Sequence, residues 1–166
     1  MQYKTHFLYP STLFASKEQY LVNTILGSCV AVCLYDPVLQ IGGINHYMLP
    51  LWNGQGLAST KYGNIATERL IEKLQGYGSH KKNLIAKVFG GGEVIDTQIS
   101  QFLIGERNID IAIKILKQHN IKVKGQSTGG KLGRKIQYNT YTGEVLQKII
   151  NKMSVKQIDK KIGLNK

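Results

Sequence analysis

LGSCVAVCLYDPVLQIGGINHYMLP, residues 26–50, decides how this 166-residue chain is read. Val30–Tyr35 is short, apolar and rich in β-branched residues, with Gly27-Ser28 before it and Asp36-Pro37 after it. That is the pattern of a buried strand between turns. Ile41–Leu49 is a second apolar stretch, opened by Gly42-Gly43 and closed by Pro50. Two such runs across a short polar break predict an antiparallel hairpin. A turn centred between Pro37 and Val38 makes opposed residue numbers sum to 75, which sets Cys29 against His46. A half-residue slip makes the sum 76 and sets Cys29 against Tyr47, and a bulge at Gly42-Gly43 would shift either register. Directly opposed side chains share a sheet face with Cβ atoms ~5 Å apart, so a thiol and an imidazole can meet.

The chemistry suits that placement. A free thiol has a pKa of about 8.5, and a neighbouring imidazole can take its proton and hold the thiolate as an ion pair. The imidazole in turn needs an orienting group, and Thr24 carries a suitable hydroxyl. Gly27 and Ser28 keep the approach to Cys29 small. Ser28 and Asn45, next to the two reacting residues in sequence, are taken as substrate- or oxyanion-contacting positions. The plainer alternative is that free cysteine usually just packs. That reading is assigned to Cys33, in mid-strand, and stays open for Cys29 and His46. His6, His80 and His119 are read as surface residues.

Cys29 and Cys33 are the only cysteines. Four residues apart on a strand, their Cα atoms stand ~13 Å from each other, too far for a disulfide. No second ligand pair supports zinc. Free thiols, together with apolar runs far short of the ~20 residues that span a bilayer, lead us to expect a cytoplasmic protein with no membrane insertion.

Outward from the hairpin, Leu51–Ser59 reads as a loop. Lys61–Gly76 has helical spacing, with Tyr62, Ile65, Ala66, Leu70, Ile71 and Leu74 on one stripe. Asn83–Phe89 reads as a strand ending in Gly90-Gly91-Gly92. Asn108–His119 is a second amphipathic helix, with Ile109, Ala112, Ile113 and Leu116 inward. Ile121–Val123 starts a strand, and Arg134–Tyr138 with Glu144–Ile149 forms a hairpin across Asn139–Gly143. Residues 1–20 are mixed, with a turn at Pro10-Ser11. The order predicts an α+β fold: mixed, largely antiparallel sheets packed together and flanked by helices. One domain over 1–150 and a basic tail over 151–166 are expected. The glycine triplet has no phosphate-binding context, and Gly129-Gly130-Lys131-Leu132-Gly133-Arg134-Lys135 lacks the Ser/Thr and helix of a phosphate loop.

The formal net charge is +12, and from Ile111 onward thirteen Lys or Arg stand against Glu144 and Asp159. Such a surface favours an acidic partner. Nucleic acid is not expected, because no aromatic residues interleave with the charges and no reading motif is present.

LGSCVAVCLYDP with GGINHYMLP resembles the CheD family of chemoreceptor glutamine deamidases. KYGNIATERLI, AKVFGGG, IGERNI and GGKLGRKIQYNTYTGEV follow in the same order, so the resemblance runs from about Leu8 to Ile150. It implies a fold like that of the cytotoxic-necrotizing-factor deamidases. It implies hydrolysis of glutamine side-chain amides on methyl-accepting chemotaxis receptors, without metal or organic cofactor. Cys29 matches the nucleophile and His46 the base. The third residue is Thr24, or Asn23 in a gapless match to relatives one residue longer there. The receptors are acidic helical bundles, to which the basic C-terminal half would dock. The resemblance also implies a CheC-type phosphatase as a second partner, and with it an alternative function: a non-catalytic adaptor.

Overall fold

The computed structural model describes residues 2–94 and 103–151. The expected basic tail, beyond Asn151, lies outside the described residues. In chain order the elements are β1 (Lys4–Phe7), β2 (Thr12–Ser16), β3 (Tyr20–Leu26), β4 (Val30–Asp36), β5 (Ile41–His46), α1 (Gly63–Gly76), β6 (Ile85–Gly90), α2 (Ile104–Gln118), β7 (Lys122–Thr128), β8 (Gly133–Asn139) and β9 (Val145–Ile150). They build a four-stranded sheet, β1-β3-β8-β9, and a five-stranded sheet, β2-β5-β4-β6-β7. β1 and β3 run parallel, as do β6 and β7 across α2, and the other pairs are antiparallel. This is the α+β class expected, with mixed sheets and flanking helices.

Strand alternation makes two cores. On β4, Val30, Val32 and Leu34 face the helices and pack with Ala66, Leu70, Leu74, Ala112 and Leu116. Ala31 and Cys33 face the other way and pack with Val22, Leu26, Ile136 and Tyr138 of the four-stranded sheet. The five-stranded sheet is therefore buried on both faces, which is why β4 reads as an unbroken apolar run. Cys33 is only 2 % exposed, as its packing role requires.

The hairpin exists, but its register differs from both expectations. Tyr35 pairs with Gly42 and Cys33 with Ile44, so opposed numbers sum to 77. The turn between Asp36 and Ile41 holds four residues. Asp36 Oδ1 accepts from the amides of Val38 (2.8 Å) and Leu39 (3.1 Å), and Gln40 takes a left-handed φ of 53°. That aspartate-capped turn moves the centre one residue toward the C-terminus. Gly42 and Gly43 pair regularly. They are glycines because a Cβ at 42 would run into the Tyr138 hydroxyl, and one at 43 would lie 2.8 Å from Leu70 Cδ1.

α2 begins four residues before the expected start. Its buried residues are Gly105, Asn108, Ile111, Ala112, Ile115 and Leu116, so the inward stripe is rotated from the one expected. Gly105 weakens the helical pattern in sequence, but it allows α2 to pack directly on the backbone of Gly91. Among the described residues no helix is long and apolar enough to cross a membrane.

Candidate active site

β3 and β5 lie on different sheets, and their inward faces bring Thr24 against His46. Thr24 Oγ1 is 2.7 Å from His46 Nδ1 and 2.7 Å from the Leu8 carbonyl oxygen. A hydroxyl has one proton, and a carbonyl can only accept. Thr24 therefore donates to Leu8 and accepts from His46 Nδ1–H. This fixes the imidazole tautomer and leaves Nε2 with its lone pair. Thr24 is fully buried and His46 is 3 % exposed. Ser11 N–H, just before β2, donates to the His46 carbonyl at 2.8 Å, so the entry to β2 holds the backbone as Thr24 holds the ring.

Asn23, the other position considered for the third residue, is one residue away and on the opposite face. Its Oδ1 accepts from Gln137 Nε2 at 3.2 Å. Alternation separates the two: Thr24 points between the sheets and Asn23 points out.

Asn45 does not belong to the site. It neighbours His46 in sequence, so on a strand it must face the other way. It is fully buried toward α1, where its Oδ1 accepts from the Val32 amide (2.8 Å) and its Nδ2 reaches Thr67 Oγ1 (3.4 Å). By taking the Val32 amide, its side chain interrupts the ladder between the Cys33–Ile44 and Val30–Tyr47 pairs.

Cys29 is half-buried, just before β4. With the register at 77, Ala31 stands opposite His46, and Cys29 lies two residues along on the same face. Diagonal neighbours stand about 7–8 Å apart, within reach of long side chains. Among the described residues Thr24 is the hydrogen-bond partner of the His46 ring, and the Cys29 thiol has no partner side chain. Burial pushes the Cys29 thiol up to about 11 and lowers His46 to about 4. Both shifts favour a neutral thiol beside a neutral imidazole over the ion pair expected from sequence.

The backbone around Cys29 is held unusually fully. The Gly27 carbonyl accepts from Gly92 N–H (3.0 Å) and the Cys29 carbonyl from Gly91 N–H (2.9 Å). The Ser28 carbonyl accepts from Asn108 Nδ2 (3.0 Å). With three successive carbonyls anchored behind the loop, the Cys29 amide lies against its own sulfur, where it slightly favours the thiolate. Ser28 is partly exposed beside the thiol. The glycine triplet thus forms the backing of the Cys29 loop. Gly90 (φ 102°) and Gly91 (φ 69°) adopt left-handed conformations, and a Cβ at Gly90 would collide with the Cys29 carbonyl. Its signal in the sequence was its glycine content at the end of an apolar strand, with no phosphate-binding context.

The CheD profile, described as CheD chemotactic sensory transduction, matches residues 48–149, more than half of the chain. A probable chemoreceptor glutamine deamidase CheD of Trichlorobacter lovleyi is 49 % identical over 86 % of this chain and 89 % of its own length. A protein of the same description from Sulfurimonas denitrificans is 44 % identical over 92 % of this chain and 98 % of its own. The chain belongs to the CheD family. Among solved structures, the Bacillus licheniformis hypothetical protein YfiH is similar at 16 % identity and a TM-score of 0.45, covering 68 % of this chain and 50 % of its own. The matched CheD segment begins after His46, so the grouping of Thr24, His46 and Cys29 rests on the geometry above.

Two other sequence expectations change. His6 stacks on Phe14 with ring centroids 4.2 Å apart. His119 bonds Glu68 through Nε2 (2.8 Å) and meets Lys81 Nζ at Nδ1 (3.0 Å). Neither is a plain surface residue, and neither approaches the candidate site.

Proposed function

We propose that this protein is a chemoreceptor glutamine deamidase in which Cys29 is the nucleophile, His46 the general base and acid, and Thr24 the group that orients His46. The observation that carries the reading is the commitment of the Thr24 proton to the Leu8 carbonyl, which leaves His46 Nε2 as a free base on the face of Cys29. The names of the similar CheD proteins supply the substrate class.

Because burial keeps both groups neutral, proton transfer accompanies attack. His46 Nε2 takes the Cys29 proton as sulfur bonds to the glutamine carboxamide carbon. The carbonyl electron pair moves to oxygen, and the Cys29 amide, with its carbonyl neighbours anchored behind it, donates to that oxyanion. The imidazolium returns its proton to the leaving nitrogen, the C–N bond breaks, and ammonia departs. His46 then deprotonates a water that attacks the thioester, the C–S bond breaks, and glutamate and the Cys29 thiol are released. Every step uses groups of this chain.

The proposed partners are the receptors and a CheC-type phosphatase, which this protein would bind and regulate. The adaptor alternative gives no reason for a fully buried threonine to set the tautomer of a histidine beside a thiol. Ammonia release from a glutamine-containing receptor fragment tests the reading. Wild type releases ammonia, and alkylation of Cys29 stops it. Release that survives complete Cys29 alkylation would overturn the assignment.

A further inference from the structure

Asn108 is a fully buried polar residue on the inward face of α2, where the sequence pattern calls for an apolar one. Its Nδ2 donates to the Ser28 carbonyl and to the Met48 carbonyl, each at 3.0 Å. Ser28 precedes the nucleophile, and Met48 lies two residues beyond His46. One amide group therefore joins the chain segment of Cys29 to that of His46.

The need for this link follows from how the hairpin ends. Val30 and Tyr47 form the last pair, exchanging hydrogen bonds of 3.2 and 3.0 Å. The next hydrogen-bonded pair of an antiparallel ladder would be Ser28 with Leu49, the Leu49 amide donating to the Ser28 carbonyl. Here the amides of Met48 and Leu49 both turn to the Lys61 carbonyl, at 2.9 and 3.1 Å. The strands part at Cys29, and the Ser28 carbonyl loses its ladder donor. Asn108 Nδ2 replaces that donor. The Tyr47 hydroxyl donates to the Asn108 backbone carbonyl, which fixes α2 to the same strand end.

The replacement is costly. Asn108 Oδ1 is buried without a hydrogen-bond partner among the described residues. An apolar side chain of the same size would avoid that orphaned acceptor, so packing alone gives no reason for an amide here.

We propose that Asn108 is a positioning residue: it holds the parted ends of β4 and β5 at the separation that lets the Cys29 thiol reach His46. It acts through Ser28 and Met48 and touches neither the thiol nor the imidazole. The turnover arm of its test rests on the deamidase reading, and the alkylation arm does not.

The test compares Asn108→Leu with Leu116→Ala, a core truncation on the same helix far along from Ser28, matched for the fall in Tm. Three quantities are read: kcat and KM for a receptor fragment, and the rate of Cys29 alkylation by iodoacetamide at pH 7. N108L is expected to lower kcat roughly 10- to 100-fold, the scale of a misplacement of about 1 Å, with KM little changed and Cys29 alkylated several-fold more slowly. L116A is expected to keep wild-type values in all three. Wild-type kcat and alkylation in N108L, or equal losses in L116A, would overturn the proposal. If N108L does not fold, Asn108→Asp decides the matter. Its carboxylate cannot donate at pH 7 but regains one donor on protonation, so its alkylation rate relative to wild type should rise as pH falls. A ratio independent of pH would count against the proposal. If the wild type releases no ammonia, the deamidase reading fails, and the alkylation arm still decides the role of Asn108.

Discussion

Replacing Thr24 by valine keeps the shape of the side chain and removes one oxygen. That oxygen serves two buried partners, the Leu8 carbonyl and His46 Nδ1–H, each at 2.7 Å. An orphaned buried donor or acceptor costs about 1–3 kcal/mol, partly relieved by local shifts, so T24V should lose about 2–4 kcal/mol. For a domain of this size that is a fall in Tm of roughly 4–16 °C. The effect on catalysis has a different origin. Without the Thr24 acceptor the imidazole proton is free to move to Nε2, and the base is then pointed away from the thiol. Loss of a positioned general base typically costs 10²–10⁴-fold, so kcat should fall by about 10² or more while KM stays close to wild type. Thr24→Ser keeps the oxygen and loses one buried methyl, about 0.8 kcal/mol, and should keep activity within a few-fold. Asn23→Ala removes only the 3.2 Å bond from Gln137 on the outer face and should leave kcat unchanged. The assay is steady-state ammonia release from a receptor fragment, with nitrogen-15 NMR of the His46 ring reporting its tautomer. A T24V enzyme with wild-type kcat, or an N23A enzyme as impaired as T24V is expected to be, would refute the reasoning.

Further outcomes follow from the same geometry. His46 is depressed to about 4 against an ordinary 6.5, so the unfolded chain binds the extra proton first as pH falls. Stability should be full above about pH 6.5 and fall by about 3 kcal/mol toward pH 4, and chemical denaturation of wild type against His46→Gln should show that slope vanish in the variant. The acid limb of kcat/KM should likewise lie well below pH 6.5, and a limb at 6.5 or above would contradict a buried neutral base. Gly90→Ala places a methyl group against the Cys29 carbonyl at a left-handed φ, so it should abolish turnover, and normal kinetics in a folded G90A would mean that the glycine triplet does not shape the loop. Lys131, exposed in the loop whose Gly130 carbonyl accepts from Glu93, should contribute to docking of an acidic receptor. Lys131→Glu should raise KM at low salt without lowering kcat, and an unchanged KM would remove it from the docking face.

The fold from β4 onward was legible because Val30–Tyr35 is an unbroken apolar run, Lys61–Gly76 has helical spacing, and Ile85–Phe89 is an apolar stretch closed by glycines. β1, β2 and β3 were not. β3 reads Tyr-Leu-Val-Asn-Thr-Ile-Leu, and the polar pair in its middle breaks the apolar run because Thr24 is buried for hydrogen bonding rather than for packing. The hairpin was visible, but its register depended on an aspartate-capped turn with Gln40 at positive φ, a conformation that no glycine or asparagine advertised. Cys29 and His46 were paired through a register that proved two residues out. Their shared face survived because a shift of two preserves strand parity for Cys29 while moving its opposite number from His46 to Met48. Asn45 failed by the same rule, since neighbours on a strand cannot share a face. Asn108 carried a different signal, a polar residue on the inward stripe of α2, and its meaning emerged only with the end of the β4–β5 ladder.

The central claim is that the Cys29 thiol, activated by His46, converts receptor glutamine side chains to glutamate. Peptide mass mapping of a receptor cytoplasmic fragment, incubated with wild type and with Cys29→Ala, tests it most directly. Each conversion replaces an amide nitrogen by oxygen and adds about 1 Da. Wild type should add that mass at particular glutamines, and C29A should add none. The same shift with both proteins, or with neither across the receptors of the source organism, would contradict the account.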